Sequence, residues 1–222
     1  MYICIHTQPT YYPRDMEAAT LRRLLAPFVP EADLDDRLLS SVTAHLDLLL
    51  RWNQRMNLTA LRTPEEIVAR HFGESLFAAR QLVARDSELE LCDVGSGAGF
   101  PGLPLKYWAP RLQLTLIEGH GKKATFLREV GRALQLTGLE VLNSRAETLT
   151  RRAPLVTMRA VEKFEAALAA ALNLVAPGGR LAILISESQR SRALSLLPAG
   201  ESTATALPNS EQRILLTWTA PR

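Results

Sequence analysis

At 222 residues, 47% hydrophobic and 22% charged, the chain has the composition of a globular protein with a sizeable core, either one large domain or one domain with a helical appendage. Its formal charge of +3 decides little alone, but two distant cysteines, Cys4 and Cys92, exclude a disulfide framework or a C-x-x-C zinc cluster and fit a cytoplasmic protein. No apolar run reaches the roughly 20 residues of a membrane helix, and the four histidines show no H-x-x-x-H spacing, so neither a membrane nor a metal site is expected.

Residues 1–15 are polar, with three tyrosines and two prolines, and read as a loosely ordered extension; Met1-Tyr-Ile-Cys-Ile is too short for a signal-peptide core and lacks basic residues before it, and Met16 offers an alternative start. A helix is predicted from Met16 to about Ala26, stopped by Pro27 and Pro30. A stronger helix, 34–52, carries Leu38, Val42, Leu46 and Leu49 on one stripe. Thr63-Pro64-Glu65-Glu66 is a capping box with proline at the first position, and opens a helix to about Ala84 with Ile67, Val68, Phe72 and Leu76 inward. Residues 16–84 thus form an N-terminal helical cap.

From residue 85 onward the rhythm is strand and helix in alternation. Strands are predicted near 89–94, 112–118, 139–143, 154–158, 179–186, 200–207 and 211–219. Helices fall near 101–109, 121–136, 163–176 and 188–197, with a short turn near 145–150. This is an α/β fold: a mainly parallel seven-stranded sheet covered on both faces. Pro208-Asn209-Ser210 is too short for a parallel crossover, so the last two strands form an antiparallel hairpin. That outline is the class I (Rossmann-like) methyltransferase fold.

Asp93-Val94-Gly95-Ser96-Gly97-Ala98-Gly99-Phe100-Pro101-Gly102 links the first strand to the helix after it, where α/β proteins place nucleotide ligands. Gly95, Gly97 and Gly99 let backbone turn sharply and lie against a ligand. The next strand ends in Glu118, about 20 residues on, the spacing at which an acid meets the ribose hydroxyls of an adenosine ligand. A dinucleotide would want G-x-G-x-x-G, and here the third glycine comes one residue early. No Walker lysine follows, which argues against a nucleoside triphosphate. Asp93 adds negative charge near the loop, which suits the cationic S-adenosylmethionine better than a phosphate. A solvent-facing acid and a plain glycine turn are the alternatives, and the pairing of the two favours the ligand.

Between Gly119 and Lys163 stand nine basic residues and four glutamates, an excess of +5 that exceeds that of the whole chain. A phosphate-backbone partner requires such a surface; a solvated surface is the plainer reading.

The chain resembles the small-subunit ribosomal RNA methyltransferase G family, also called glucose-inhibited division protein B. The resemblance covers residues 34–165 best. It is carried by Met56-Asn57-Leu58-Thr59-Ala60 with Arg70-His71-Phe72, by Asp93–Pro104, by Gly121-Lys122-Lys123 with Phe126-Leu127-Arg128, and by Ser144-Arg145-Ala146-Glu147. It implies methyl transfer from S-adenosylmethionine to N7 of one guanine, with small-subunit ribosomal RNA or the small ribosomal subunit as partner and the protein a monomer. It also implies that Gly95, Phe100, Ala146, Glu147 and Arg159 touch the cofactor, with Arg159 a candidate for the catalytic centre. Asn57, Arg70, His71, Lys122, Lys123 and Arg128 are the expected RNA contacts.

The chain departs from the family pattern in three places. An acid usual early in the fourth strand is missing and a serine at its end is Met158. A Lys-Gly after the fifth strand is Ser186-Glu187. The last strand, Ile214-Leu-Leu-Thr-Trp-Thr, lacks a lysine. Guanine N7 has a lone pair and no proton, so transfer to it needs positioning and no general base. Consistently, no Asn/Asp-Pro-Pro-Tyr/Phe and no cysteine ends the fourth strand. Two other readings stay open: a methyltransferase with a small-molecule or protein acceptor, and a non-catalytic cofactor-binding RNA or assembly factor.

Overall fold

The computed structural model describes residues 16–159 and 164–222. The expected extension 1–15, with Cys4, and the basic Lys163 lie outside these described residues. The helical apolar stripes in the sequence translate into eight α-helices among the described residues: α1 (Ala18–Leu25), α2 (Asp36–Asn53), α3 (Pro64–Ile67), α4 (Glu74–Leu82), α5 (Gly102–Trp108), α6 (Gly121–Ala133), α7 (Phe164–Asn173) and α8 (Glu187–Leu196). The strands are β1 (Glu90–Val94), β2 (Gln113–Ile117), β3 (Leu139–Leu142), β4 (Ala153–Arg159), β5 (Val175–Ser186), β6 (Glu201–Ala206) and β7 (Arg213–Thr219).

The strands form one sheet in the order β3-β2-β1-β4-β5-β7-β6. The first five are parallel, and β7 runs antiparallel between β5 and β6, as the short hairpin turn requires. Alternate residues on each strand face opposite sides. Leu91, Leu114, Leu116, Leu155 and Leu184 join a core with the helices from α1 to α6. Cys92, Val94, Ile117, Val156, Met158 and Ile183 join a second core with α7 and α8. The helical cap therefore shares its core with one face of the sheet.

The segment 64–84 is not one uniform helix. The capping box forms as expected, Thr63 to Glu66 with Pro64 at the start. After Ile67 the backbone widens into a π-helical stretch, Val68–Gly73, before α4 resumes an α-helical pitch. Such a turn re-aims the side chains it carries, here Arg70 and His71. Helix α6 ends three residues short of the expected 136, where Gln135 takes φ +50° and the Leu136 N–H returns to the Gly131 carbonyl.

His45 ties the cap to the glycine loop. It lies on the apolar stripe of α2 and is fully buried. Its Nε2–H donates to the Ala98 carbonyl (2.9 Å), and its Nδ1 accepts from the Tyr107 hydroxyl (3.0 Å). Both nitrogens are used by a neutral ring, and burial lowers its pKa to about 3. The unfolded chain binds a proton near pH 6.5 that the fold refuses, so this residue's contribution is present above pH 6.5 and lost as pH falls toward 3. A His45→Leu variant should be less stable by about 2–4 kcal/mol at pH 7, because the Ala98 carbonyl and the Tyr107 hydroxyl lose their partner. That deficit should shrink by about 1.4 kcal/mol per pH unit below pH 6.5 in urea unfolding, since only the histidine protein carries the penalty.

Candidate functional site

The loop after β1 is shaped by its hydrogen bonds. Gly95 and Ser96 N–H groups donate to the Ile117 carbonyl at the end of β2 (2.9 and 3.1 Å). Gly97, at φ +56°, turns its N–H onto Glu118 Oε2 (2.8 Å), and Glu118 Oε1 accepts from the His120 N–H (2.7 Å). Gly99, at φ +91°, has no room for a side chain: a Cβ would lie 2.3 Å from Leu103 Cδ1. The result is a cleft of about 530 Å³ at the carboxyl ends of the parallel strands. Its floor is Gly95, Ser96, Gly97 and Ala98; one end is Glu118, His120 and Lys123; the far wall is Leu58, His71, Phe100 and Arg159. The volume is ordinary for a small-molecule site. The backbone cradle with its glycines, Gly95 and Gly97, and a carboxylate with one lone-pair direction left on each oxygen, fit an adenosine ligand. Ser96, Ala98, Leu58 and His120 line the cleft without having been singled out by the sequence.

The far wall is an aromatic column. Phe100 stacks on His45 (ring centroids 5.1 Å, 10°) and on His71 (4.8 Å, 27°). His71 Nε2 is 2.7 Å from the Thr59 hydroxyl, which also accepts from the Leu61 N–H. Burial, then the nearby Arg159, Arg213 and Arg70 charges, hold the His71 pKa far below the ordinary imidazole value, so this ring is neutral.

Arg159 ends β4 and is 9% exposed. Its guanidinium donates to the Glu74 carboxylate (2.9 Å) and to the Arg70 carbonyl (2.6 Å) in the π-helical turn. Burial lowers its pKa to about 10, and it remains a cation. Glu74 also accepts from Arg213 (2.8 Å). Burial raises the Glu74 pKa, opposed by the charges of Arg159, Arg213 and Arg70.

Several expected residues lie elsewhere. Asp93 does not line the cleft: it is fully buried beneath the loop, its Oδ1 accepting from the Thr157 hydroxyl (2.7 Å). Burial pushes its pKa up to about 6, against the pull of Thr157. It packs on Gly102, where a Cβ would come within 2.8 Å of its Oδ2, and so braces the start of α5. Ala146 is buried in a short turn after β3, while Glu147 is exposed and 3.8 Å from Arg145; neither lines the cleft. Arg128 points to a different groove, at the edge of β3, and donates to the Val141 carbonyl (3.2 Å). Asn57 and Lys122 are exposed outside the cleft, Lys123 is on its wall, and Arg70 is exposed on a neighbouring cavity.

The basic run is smaller than its sequence suggests. Arg151 pairs with Glu140 (2.5 Å), Arg145 with Glu147 and the buried Arg159 with Glu74. Lys122, Lys123, Arg128, Arg132 and Arg152 carry no salt bridge among the described residues. The departures are also placed. Met158 is fully buried in the second core, away from the cleft. Ser186 caps α8, and Trp218 in the last strand donates to the Pro198 carbonyl (3.2 Å).

Among the described residues no helix is long and apolar enough to cross a membrane. Comparison with known proteins agrees with the architecture. A ribosomal protein L11 methylase from Lactobacillus delbrueckii subsp. bulgaricus superposes with a TM-score of 0.57 at 11% identity, over 69% of this chain and 80% of that one, which shows the shared methyltransferase fold. The ribosomal RNA small subunit methyltransferase G of Stenotrophomonas maltophilia (strain K279a) is 39% identical over 92% of this chain and 95% of its own. That of Xanthomonas axonopodis pv. citri (strain 306) is 39% identical over 84% of each. The GidB family model, described as rRNA small subunit methyltransferase G, matches residues 38–197. With the glycine loop, Glu118 and Arg159 all inside that match, the chain belongs to the rRNA small subunit methyltransferase G family.

Proposed function

We propose that this chain transfers the methyl group of S-adenosylmethionine to N7 of a guanine in small-subunit ribosomal RNA. The observation that carries the reading is the Glu118 carboxylate fastened to the Gly97 N–H, in a chain of this family. It sets an acid for ribose hydroxyls beside a backbone cradle. The cofactor, when bound, supplies an electrophilic methyl on a sulfonium. Gly95, Gly97, Glu118, Phe100 and Arg159 would hold it.

Guanine N7 asks nothing of the protein in proton transfer. The cleft is consistent with that demand: Glu118, its one carboxylate, is anchored by two N–H donors with its remaining lone pairs assigned to the ribose in this reading, and burial makes His71 a poor proton acceptor. Positioning and a fixed electrostatic surrounding are what the site can contribute. The acceptor must come from an open or unstacked region, because the deep major groove of an RNA duplex hides N7. Asn57, Arg70, His71, Lys122, Lys123 and Arg128 would meet that RNA; His71 and Lys123 line the cleft itself. The same reading has the protein act as a monomer in the cytoplasm, with residues 16–84 as its cap and 85–222 as its methyltransferase domain.

The direct test is labelled methyl transfer to small subunits from cells lacking the protein. N7-methylguanine at one site is the expected product; a different acceptor or no transfer overturns the reading. Glu118→Gln should weaken S-adenosylmethionine binding about 10- to 100-fold by calorimetry, since an amide cannot accept at both positions and a charged acceptor is lost. Lys122→Glu should lower RNA affinity several-fold at low salt, with the difference fading as salt screens it.

A further inference from the structure

A second cavity of about 580 Å³ adjoins the cofactor cleft on the same rim of the sheet. It is lined by Arg70 and Glu74 from the cap, Ser186 at the end of β5, Asn209–Gln212 in the hairpin turn, and Arg213 at the start of β7. Register explains the gathering: Arg213 pairs with Ser186, so the antiparallel β7 begins where the parallel β5 ends. The Arg159–Glu74 pair (2.9 Å) is the partition, with Arg159 on the cleft side and Glu74 on the cavity side.

The lining defines a ligand chemistry. No aromatic or aliphatic side chain lines it; its lining is polar or charged throughout. Glu74 is 3% exposed and its Oε2 already accepts from two guanidinia. Three guanidinia, of Arg70, Arg159 and Arg213, surround that single carboxylate. Glu211 also lines the cavity and is exposed. Against Arg70, Arg159 and Arg213 stand Glu74 and Glu211, which leaves one positive charge in excess, and the buried Nε of Arg213 has no hydrogen-bond partner among the described residues, an arrangement that an anion with several acceptor oxygens completes.

We propose that this cavity seats a backbone phosphate of the RNA strand that carries the acceptor guanine, held between Arg70 and Arg213. The inference rests on the RNA reading above and adds a site to it. A phosphate anchored here fixes the strand beside the cofactor cleft, and the shared Arg159–Glu74 partition keeps the two sites in register.

The test measures binding of unmodified small-subunit ribosomal RNA from 50 to 200 mM salt for the wild type and for Arg70→Gln, Arg213→Gln and Arg213→Lys. Each glutamine variant should bind RNA about 3- to 10-fold more weakly at low salt. Each should also flatten the slope of log affinity against log salt by about 0.7–0.9, one phosphate contact. Arg213→Lys should recover most of that slope, and S-adenosylmethionine affinity should stay within two-fold. Arg70 is exposed, so its variant reports on the site whatever happens to the fold of the Arg213 variants. Unchanged RNA affinity and slope in both glutamine variants would reduce the cluster to a structural tie and overturn the proposal, with methyl transfer to RNA by the wild type untouched. Inorganic phosphate competing at Arg213 as tightly as RNA does would assign the site to a free anion instead. A wild type that neither binds nor methylates the RNA overturns the RNA reading itself.

Discussion

The contact between Arg159 and Glu74 is the one on which the rest of the site depends. A guanidinium at the end of a buried strand cannot stay in a low-dielectric setting alone; it needs a carboxylate and further acceptors. Glu74 supplies the first, and the Arg70 carbonyl, turned out by the π-helical stretch, supplies another. The widened turn and the buried cation therefore explain each other: the irregular backbone frees an acceptor, and the guanidinium fills it. Through Glu74 the same carboxylate reaches Arg213, so three separate parts of the chain (cap, β4 and β7) close on one point.

The aromatic column performs the matching task for the glycine loop. Phe100 follows the glycines, and its ring stacks on His45 and on His71. His45 also holds the Ala98 carbonyl within the loop. A segment rich in glycine would be loose on its own. Here it is pinned to the cap by a stack and a hydrogen bond, and to β2 by the Ile117 carbonyl and the Glu118 carboxylate. Preorganisation of this kind is what a transfer without proton chemistry can draw on. Both histidines are kept neutral by burial, so they act as flat, polarisable packing groups and hydrogen-bond partners.

The sequence pattern was informative wherever a local rule governs. Alternation and turn length specified seven strands and the closing hairpin, because strand period and loop reach are properties of a short stretch. The capping box at Thr63 formed for the same reason. The glycine spacing and the carboxylate about 20 residues on marked the cleft, and both line it. The cap's participation in the sheet core, and the partners of the basic residues, depend on segments far apart in the chain. Arg151 reads as part of a positive surface until Glu140 is placed beside it.

What the sequence by itself determined was the order of elements, the sheet's antiparallel end and the position of the ligand loop, since each follows from neighbours within a few residues. Tertiary structure alone decided the fate of the charges. Asp93, read as facing a cationic ligand, is turned under the loop to Thr157, because a strand's side chains alternate and its turn belongs to the core side. Arg128, read with the lysines of the same helix, points to β3, because residues five and six apart on a helix do not share a face. The π-helical turn at Arg70 and His71 has no mark in the local sequence. The guanidinium that fills its carbonyls arrives from 88 and 89 residues away in the chain, and only the folded packing brings it there.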